Sequence, residues 1–298
     1  MIPRELLKRV RRIELATRRR VTSRFSGGYL SIFRGQGMEF EDVRAYQPGD
    51  DVRTIDWNVT ARTGHPHVKR FVVEREMTVL PVVDVSASLG FGTQNSSKLA
   101  VATELSALLA FLAVGNHDRV GLVLAADKVA GFVPPGKGRR HLYRVIRELL
   151  QATAPEGAGT DLAGALDFAR RVVPRHSTLF VVSDFLLPPG GETAFAQALG
   201  RAARHHDTIA VSVEDPVEAA LPDVGLIDVV DPETGMRTVI DAGDPAVRAA
   251  YSAEREERLK TVRRAFTRFG VDYVPLSTAT SYMEEVLRFF HTRTRRLR

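Results

Sequence analysis

The sequence predicts an α/β fold: a doubly wound, mostly parallel sheet flanked by helices, preceded by an N-terminal helix and a short irregular or β segment. Three observations predict it. Two Val-rich apolar runs, 79–83 and 179–182, are too short for helices and are apolar on both faces, as parallel strands covered on both sides are. From residue 71 onward, strand-like and helix-like stretches alternate. Before residue 71 that rhythm is missing. The expected division is therefore 1–75, an N-terminal basic helix and an irregular segment packed on the body, and 76–298, the α/β domain.

Residues 3–20 read as a basic amphipathic helix, with Leu6, Leu7, Val10 and Ile13 at helical spacing. It lacks Trp and Phe, so docking on protein fits it better than lying on a membrane. Residues 21–75 are punctuated by Gly27-Gly28, Gly35, Gly37 and Pro48-Gly49. No helical period fits 51–62, so short strands and ordered loops are expected there. The nearly balanced charges of Glu39, Glu41, Arg44, Asp50, Asp51, Arg53, Asp56 and Arg62 suit an internal salt-bridge network.

The body begins with the strand 79–84. Residues 98–114 form a helix apolar on nearly all sides, closed by Gly115. Strands at 119–126 and 128–133 are joined too tightly to be anything but antiparallel, and Pro134-Pro135-Gly136 then breaks the chain. A helix at 139–152 puts Leu142, Val145, Ile146, Leu149 and Leu150 on one face. The turn Gly157-Ala158-Gly159-Thr160-Asp161 opens a helix at 162–173, and a strand at 178–184 again ends in a carboxylate. A helix at 193–205 and a strand at 207–213 follow. Val229-Val230 and 238–240 flank D-P-E-T-G as an edge hairpin. Asp244-Pro245 caps a helix carrying Leu259, Val262, Phe266 and Phe269 and closing at Gly270. A strand at 271–276, a helix at 283–290 and an arginine tail complete the chain.

Composition narrows the function. Hydrophobic content of 44% and charged content of 26% are those of an ordinary globular protein. The absence of cysteine excludes disulfides, thiolate zinc sites and cysteine nucleophiles. No apolar run approaches the ~20 residues of a membrane span and the N-terminus is charged, so a cytoplasmic location is expected. Residues 1–20 carry +6 and 288–298 carry +5 against a net +6 for the chain, which leaves −5 on the rest. A mildly acidic body with two basic ends argues against a nucleic-acid-binding domain and leaves at most a peripheral membrane contact.

The chemistry gathers at strand ends. Asp84, Ser86 and Ser88 alternate on extended chain just beyond the first apolar run, so their oxygens point the same way. One carboxylate and two hydroxyls suit a hard cation such as Mg²⁺ or Mn²⁺ that keeps some of its waters. Finishing a strand and capping a turn would account for the triplet as well. Thr160, at a loop-to-helix junction, and Asp184, ending the second buried strand, belong at the same sheet edge. Separately, each reads as a cap. A phosphate loop at 90–99 lacks the Gly-Lys-Ser/Thr ending. An aspartyl-phosphatase reading of 84–86 lacks the second carboxylate. His65-x-His67 sits in a Gly-Pro loop and reads as surface.

Together, Asp84-x-Ser86-x-Ser88, Thr160 and Asp184 resemble the metal-ion-dependent adhesion site of von Willebrand factor A-type domains. G-x-E-F at 37–40, R-A-Y-Q-P-G-D-D-V-R-T-I-D-W-N-V-T-A-R at 44–62 and V-K-R-F-V-V-E-R-E at 68–76 resemble the signature of bacterial domain-of-unknown-function family 58. That resemblance implies an A-like fold. It also implies a metal held by Asp84, Ser86, Ser88 and Thr160 directly or through water, with Asp184 reached through water. An open metal position would accept an acidic residue of a client protein. The family is typically encoded beside MoxR-type AAA+ ATPases, which implies a non-catalytic adaptor or co-chaperone. Two alternatives stand beside it: a metal-dependent hydrolase using Asp84 and Asp184, and a nucleic-acid or lipid tether acting through the basic ends.

Overall fold

The computed structural model describes residues 39–72, 76–93, 96–153, 157, 159–233 and 235–296. The basic helix expected at 3–20 and the glycines at 27–37 lie outside the described residues. The chain begins with a two-stranded antiparallel ribbon, β1 (Glu39–Ala45) with β2 (His67–Val72). Between them lie a 3-10 turn (Val52–Thr54) and α1 (Trp57–Thr63). This helix corrects the expectation of strands and loops at 51–62. Its ends explain it: the Asp56 side chain accepts from the amides of Asn58 and Val59, and Gly64 closes it at φ 76°. That left-handed conformation is open to glycine without strain. Seven residues are too few for apolar periodicity to register, so the caps define this helix. Arg44 pairs with Asp50 at 2.6 Å, while Asp51 and Asp56 serve as caps.

The body is a six-stranded sheet in the order β10-β7-β6-β3-β4-β5. Its strands are β3 (Thr78–Asp84), β4 (Arg119–Ala125), β5 (Val129–Gly136), β6 (Thr178–Ser183), β7 (Asp207–Glu214) and β10 (Asp272–Ser277). All pairings are parallel except β4 with β5. β5 runs through Pro134 and Pro135 rather than breaking before them. An edge strand tolerates proline where the amide would point away from its neighbour, and β5 also shifts register against Val120 and Leu122, which accommodates the second proline.

Every residue of β3 and β6 is buried, because helices cover both faces of the sheet. On one face α2 (Lys98–Gly115), α3 (Gly138–Gln151) and α8 (Tyr282–Arg296) pack on Val79, Val83, Val182 and Val211. On the other, α4 (Leu162–Val172), α5 (Gly191–Ala203) and α7 (Pro245–Phe269) pack on Leu80, Val82, Leu179 and Val181. Each large aliphatic residue buried this way contributes roughly 1.5–3 kcal/mol. α2 is long and apolar enough to cross a membrane by length and composition, but 67% of it is buried inside the protein.

Between β7 and α7 the chain inserts a short helix, α6 (Pro216–Ala219), and a ribbon of β8 (Leu226–Val230) with β9 (Arg237–Asp241). The arginine tail also differs from expectation. α8 continues into it, and Arg293 pairs with Asp207 at 2.5 Å and with Asp272 at 3.4 Å. Arg296 meets Asp272 at 3.3 Å.

Candidate functional site

Strand order reverses beside β3: β4 and β5 lie to one side of it, β6 and the later strands to the other. Open α/β sheets leave a crevice beyond the carboxyl ends of the strands at such a switch point. β3 ends in Asp84, and its neighbour β6 is followed by Asp184. Both carboxylates are fully buried.

Asp84 is held from two directions. Its Oδ1 accepts from the Ser86 amide at 2.9 Å and its Oδ2 from the Ser183 hydroxyl at 2.6 Å. Burial, and after it the charge of Asp184, pushes the Asp84 pKa up to about 7 against those hydrogen bonds. Ser86 and Ser88 are buried with their hydroxyl oxygens 3.1 Å apart. Ser86 lies on extended chain, but Ser88 belongs to a 3-10 turn, Ala87–Gly90, so this turn and not the expected strand alternation brings the two hydroxyls together.

Asp184 is shared. Its Oδ1 accepts from the Leu186 amide at 3.1 Å, a capping bond, while its Oδ2 accepts from Lys98 Nζ at 2.7 Å. Lys98 is fully buried and also reaches both carboxylate oxygens of Glu218, at 2.6 and 2.8 Å. Burial works against the ammonium, but Asp184 and Glu218 outweigh it and hold its pKa above the usual lysine value. The residue that follows Asp184 is strained. Phe185 has φ 55°, a left-handed conformation rare for a bulky side chain. Its amide donates to Ser183 Oγ at 2.9 Å, and its ring packs 5.8 Å from that of Phe195 and 5.2 Å from that of Phe266. This aromatic packing fixes the turn that aims Asp184.

Thr160 is buried but is not the cap of α4. Asp161 does that, accepting from the Gly164 amide at 2.8 Å. The Thr160 hydroxyl instead donates to Glu233 Oε1 at 3.1 Å. Glu233 lies at the tip of the β8–β9 ribbon. Burial raises its pKa, Thr160 opposes that, and the charge of Asp184 raises it further.

Sequence reasoning missed Lys98, Ser183, Glu218 and Glu233. Lys98 had a signal: a cation in the first turn of an apolar helix opposes the helix dipole, so it needs anionic partners. The other three had none, since their partners lie 99, 120 and 73 residues away. His67 Nδ1 lies 2.8 Å from the His65 carbonyl oxygen, a contact within its own loop.

This geometry defines a class: an α/β domain with a mostly parallel sheet and clustered side-chain oxygens at its switch point. Within it, the chain belongs to the family described as "Protein of unknown function DUF58", which it matches over residues 42–261. It is 34% identical over 292 residues to "Uncharacterized protein Mb1516" of Mycobacterium bovis, covering 98% of this chain and 90% of that protein. Among solved structures it is similar to the conserved hypothetical protein BatB from Bacteroides thetaiotaomicron, with a TM-score of 0.47 and 17% identity over 74% of this chain and 98% of that one. It is also similar to the SpRpn10 VWA domain, with a TM-score of 0.43 and 7% identity over 72% of this chain and 94% of that one.

Proposed function

We propose that the chain is a non-catalytic, cation-dependent protein-docking module. In this reading Asp84, Ser86, Ser88 and Thr160 hold Mg²⁺ or Mn²⁺, which supplies a coordination position for an acidic side chain of a client. The observation that carries the reading is the burial of Asp84 beside Asp184 with two hydroxyl oxygens converging on the same spot. Asp184 and Glu218 bind the Lys98 ammonium, the charge of Asp184 reaches Asp84, and the charges of Asp184 and Lys98 reach Glu233. Such a surplus of negative charge in a low-dielectric site favours a cation, and an all-oxygen donor set suits a hard one. Asp184 gives one oxygen to Lys98, and its place in this reading is the water-mediated one that the resemblance implied. Its part here is to contribute charge.

A MoxR-type AAA+ ATPase is the proposed working partner and the cytoplasm the proposed location. Both rest on the family resemblance. The tether alternative is weakened at the C-terminal end, where Arg293 and Arg296 are engaged with Asp207 and Asp272.

The test compares the native chain with Asp84→Asn, which keeps the shape of the side chain and removes its charge. Mg²⁺ at about a hundred times its Kd should stabilise the native chain by about 2.7 kcal/mol and the variant not at all. Co-purification with the MoxR-type ATPase of the same organism should be lost in EDTA. A native chain indifferent to Mg²⁺ and Mn²⁺ sinks the reading. Metal-dependent turnover of a phosphate- or peptide-ester panel, lost in Asp84→Asn, would replace it with the hydrolase.

A further inference from the structure

We propose that Glu233 is a built-in ligand of the site: its carboxylate occupies the place of a client's acidic side chain, and the β8–β9 ribbon lifts it away when a client docks. This deepens the docking reading above and rests on it.

The first observation is the contact itself. Glu233 Oε1 accepts from Thr160, one of the four residues assigned to the cation, and the same carboxylate feels the charges of Asp184 and Lys98. It approaches over the glycine-rich turn. A Cβ built on Gly159 would lie 3.7 Å from Glu233 Oε2, and one on Gly157 would lie 3.6 Å from the Glu233 carbonyl oxygen.

The second is the shape of the element that delivers it. Two hydrogen bonds hold the described tip residues: Asp231 Oδ1 accepts from the Glu233 amide at 2.9 Å, and the Asp231 amide donates to the Met236 carbonyl at 2.9 Å. The ribbon behind it has almost no core. Leu226, Met236 and Val239 are 73%, 66% and 67% exposed. Its base is tied to the body's long helix by Arg248 of α7, which donates to the Ala242 carbonyl at 2.6 Å.

An element with so little buried area moves at small cost, because its stability comes from few contacts. One of those contacts is a charge-assisted hydrogen bond at the site. The same insertion also sends Glu218 to Lys98, so the segment between β7 and α7 supplies two carboxylates to a site built on other strands. Glu218 is fastened to a buried ammonium and stays. Among the described residues the Glu233 carboxylate is held by one hydroxyl, and it can be exchanged for another carboxylate.

The experiment uses the full chain, Mn²⁺ followed by electron paramagnetic resonance, and N-acetylglutamate as the probe carboxylate. Deuterium exchange of residues 226–241 is read in parallel. With Mn²⁺ bound, Glu233→Ala should respond to N-acetylglutamate at about tenfold lower concentration than the native chain, since a closed ribbon lowers apparent affinity by the fraction open. Ribbon exchange should rise in the variant, and in the native chain when the probe is added. Equal probe responses of native chain and variant, with Mn²⁺ still binding both, overturn the built-in ligand and leave the docking reading standing. Failure of the native chain to bind Mn²⁺ overturns both.

Discussion

At the carboxyl ends of β3, β6 and β7 the buried polar groups include charges: Asp84, Asp184, Lys98 and Asp215. At the amino ends they are mostly uncharged, Thr78, Ser177, Thr178, His206 and Thr208, beside one carboxylate, Asp118, which accepts from the Met77 amide at 2.9 Å. Two further charges at that lower edge, Asp207 and Asp272, sit at the rim and are met by Arg293. The two edges share one sheet and one hydrophobic core, so packing does not explain the difference. Burying a charge costs several kcal/mol unless it is paired. The upper edge accepts that cost at several positions within a short reach, and the lower edge accepts it at Asp118. Protein chains concentrate such costs where a site must act on something.

The largest expected effect tests the upper edge. Lys98→Met leaves Asp184 and Glu218 buried without their cation and should destabilise the chain by about 3–5 kcal/mol in urea unfolding. Adding Asp184→Asn and Glu218→Gln to that variant should restore most of the loss, because the uncompensated charges are then gone. A loss below about 1 kcal/mol for Lys98→Met would show that the two edges do not differ in this way.

The next effect belongs to the lower edge. Burial, then the charges of His205 and His176, pushes the His206 pKa down to about 4. The unfolded chain binds this proton more readily, so stability falls as pH drops from about 6.5 towards 4, by about 3 kcal/mol at most. His206→Asn should flatten that window. If the stability curves of native chain and variant run parallel through it, His206 is not the group responsible.

The smallest effect returns to the upper edge. Burial alone would raise Asp215, yet hydrogen bonds from the Thr93 hydroxyl and amide, from Thr278 and from the Val217 amide hold its pKa down to about 2. Its contribution is present above about pH 4 and is lost as pH falls towards 2, about 2 kcal/mol in all. The stability gap between the native chain and Asp215→Asn should shrink over that range. A gap that stays constant with pH would assign the role of Asp215 to shape rather than charge.

Much of the fold was legible because it depends on local pattern. The Val-rich runs at β3 and β6, the all-round apolar α2 and the one-sided α3 each announce how many of their faces are covered. The misreadings have identifiable causes. α1 is short enough that its Asp56 and Gly64 caps outweigh periodicity. β5 keeps its prolines because it is an edge. The arginine tail stays helical because Asp207 and Asp272 meet it from the sheet. At the site, Asp84, Ser86 and Ser88 could be grouped from spacing alone. The roles of Thr160 and Asp184 could not, since each has a partner that spacing does not reveal.

The sequence by itself determined where the strands lie, that both faces of the sheet are covered, and that oxygen-bearing side chains cluster at its carboxyl edge. These follow from periodicity and from the steric rules of extended chain, which act over a few residues. Only the tertiary structure decided that Lys98 shares Asp184 with Glu218 and that Glu233 rests on Thr160. Those contacts join positions 86, 120 and 73 residues apart. They exist because the sheet and its insertion bring their elements together, and no local preference encodes such a meeting.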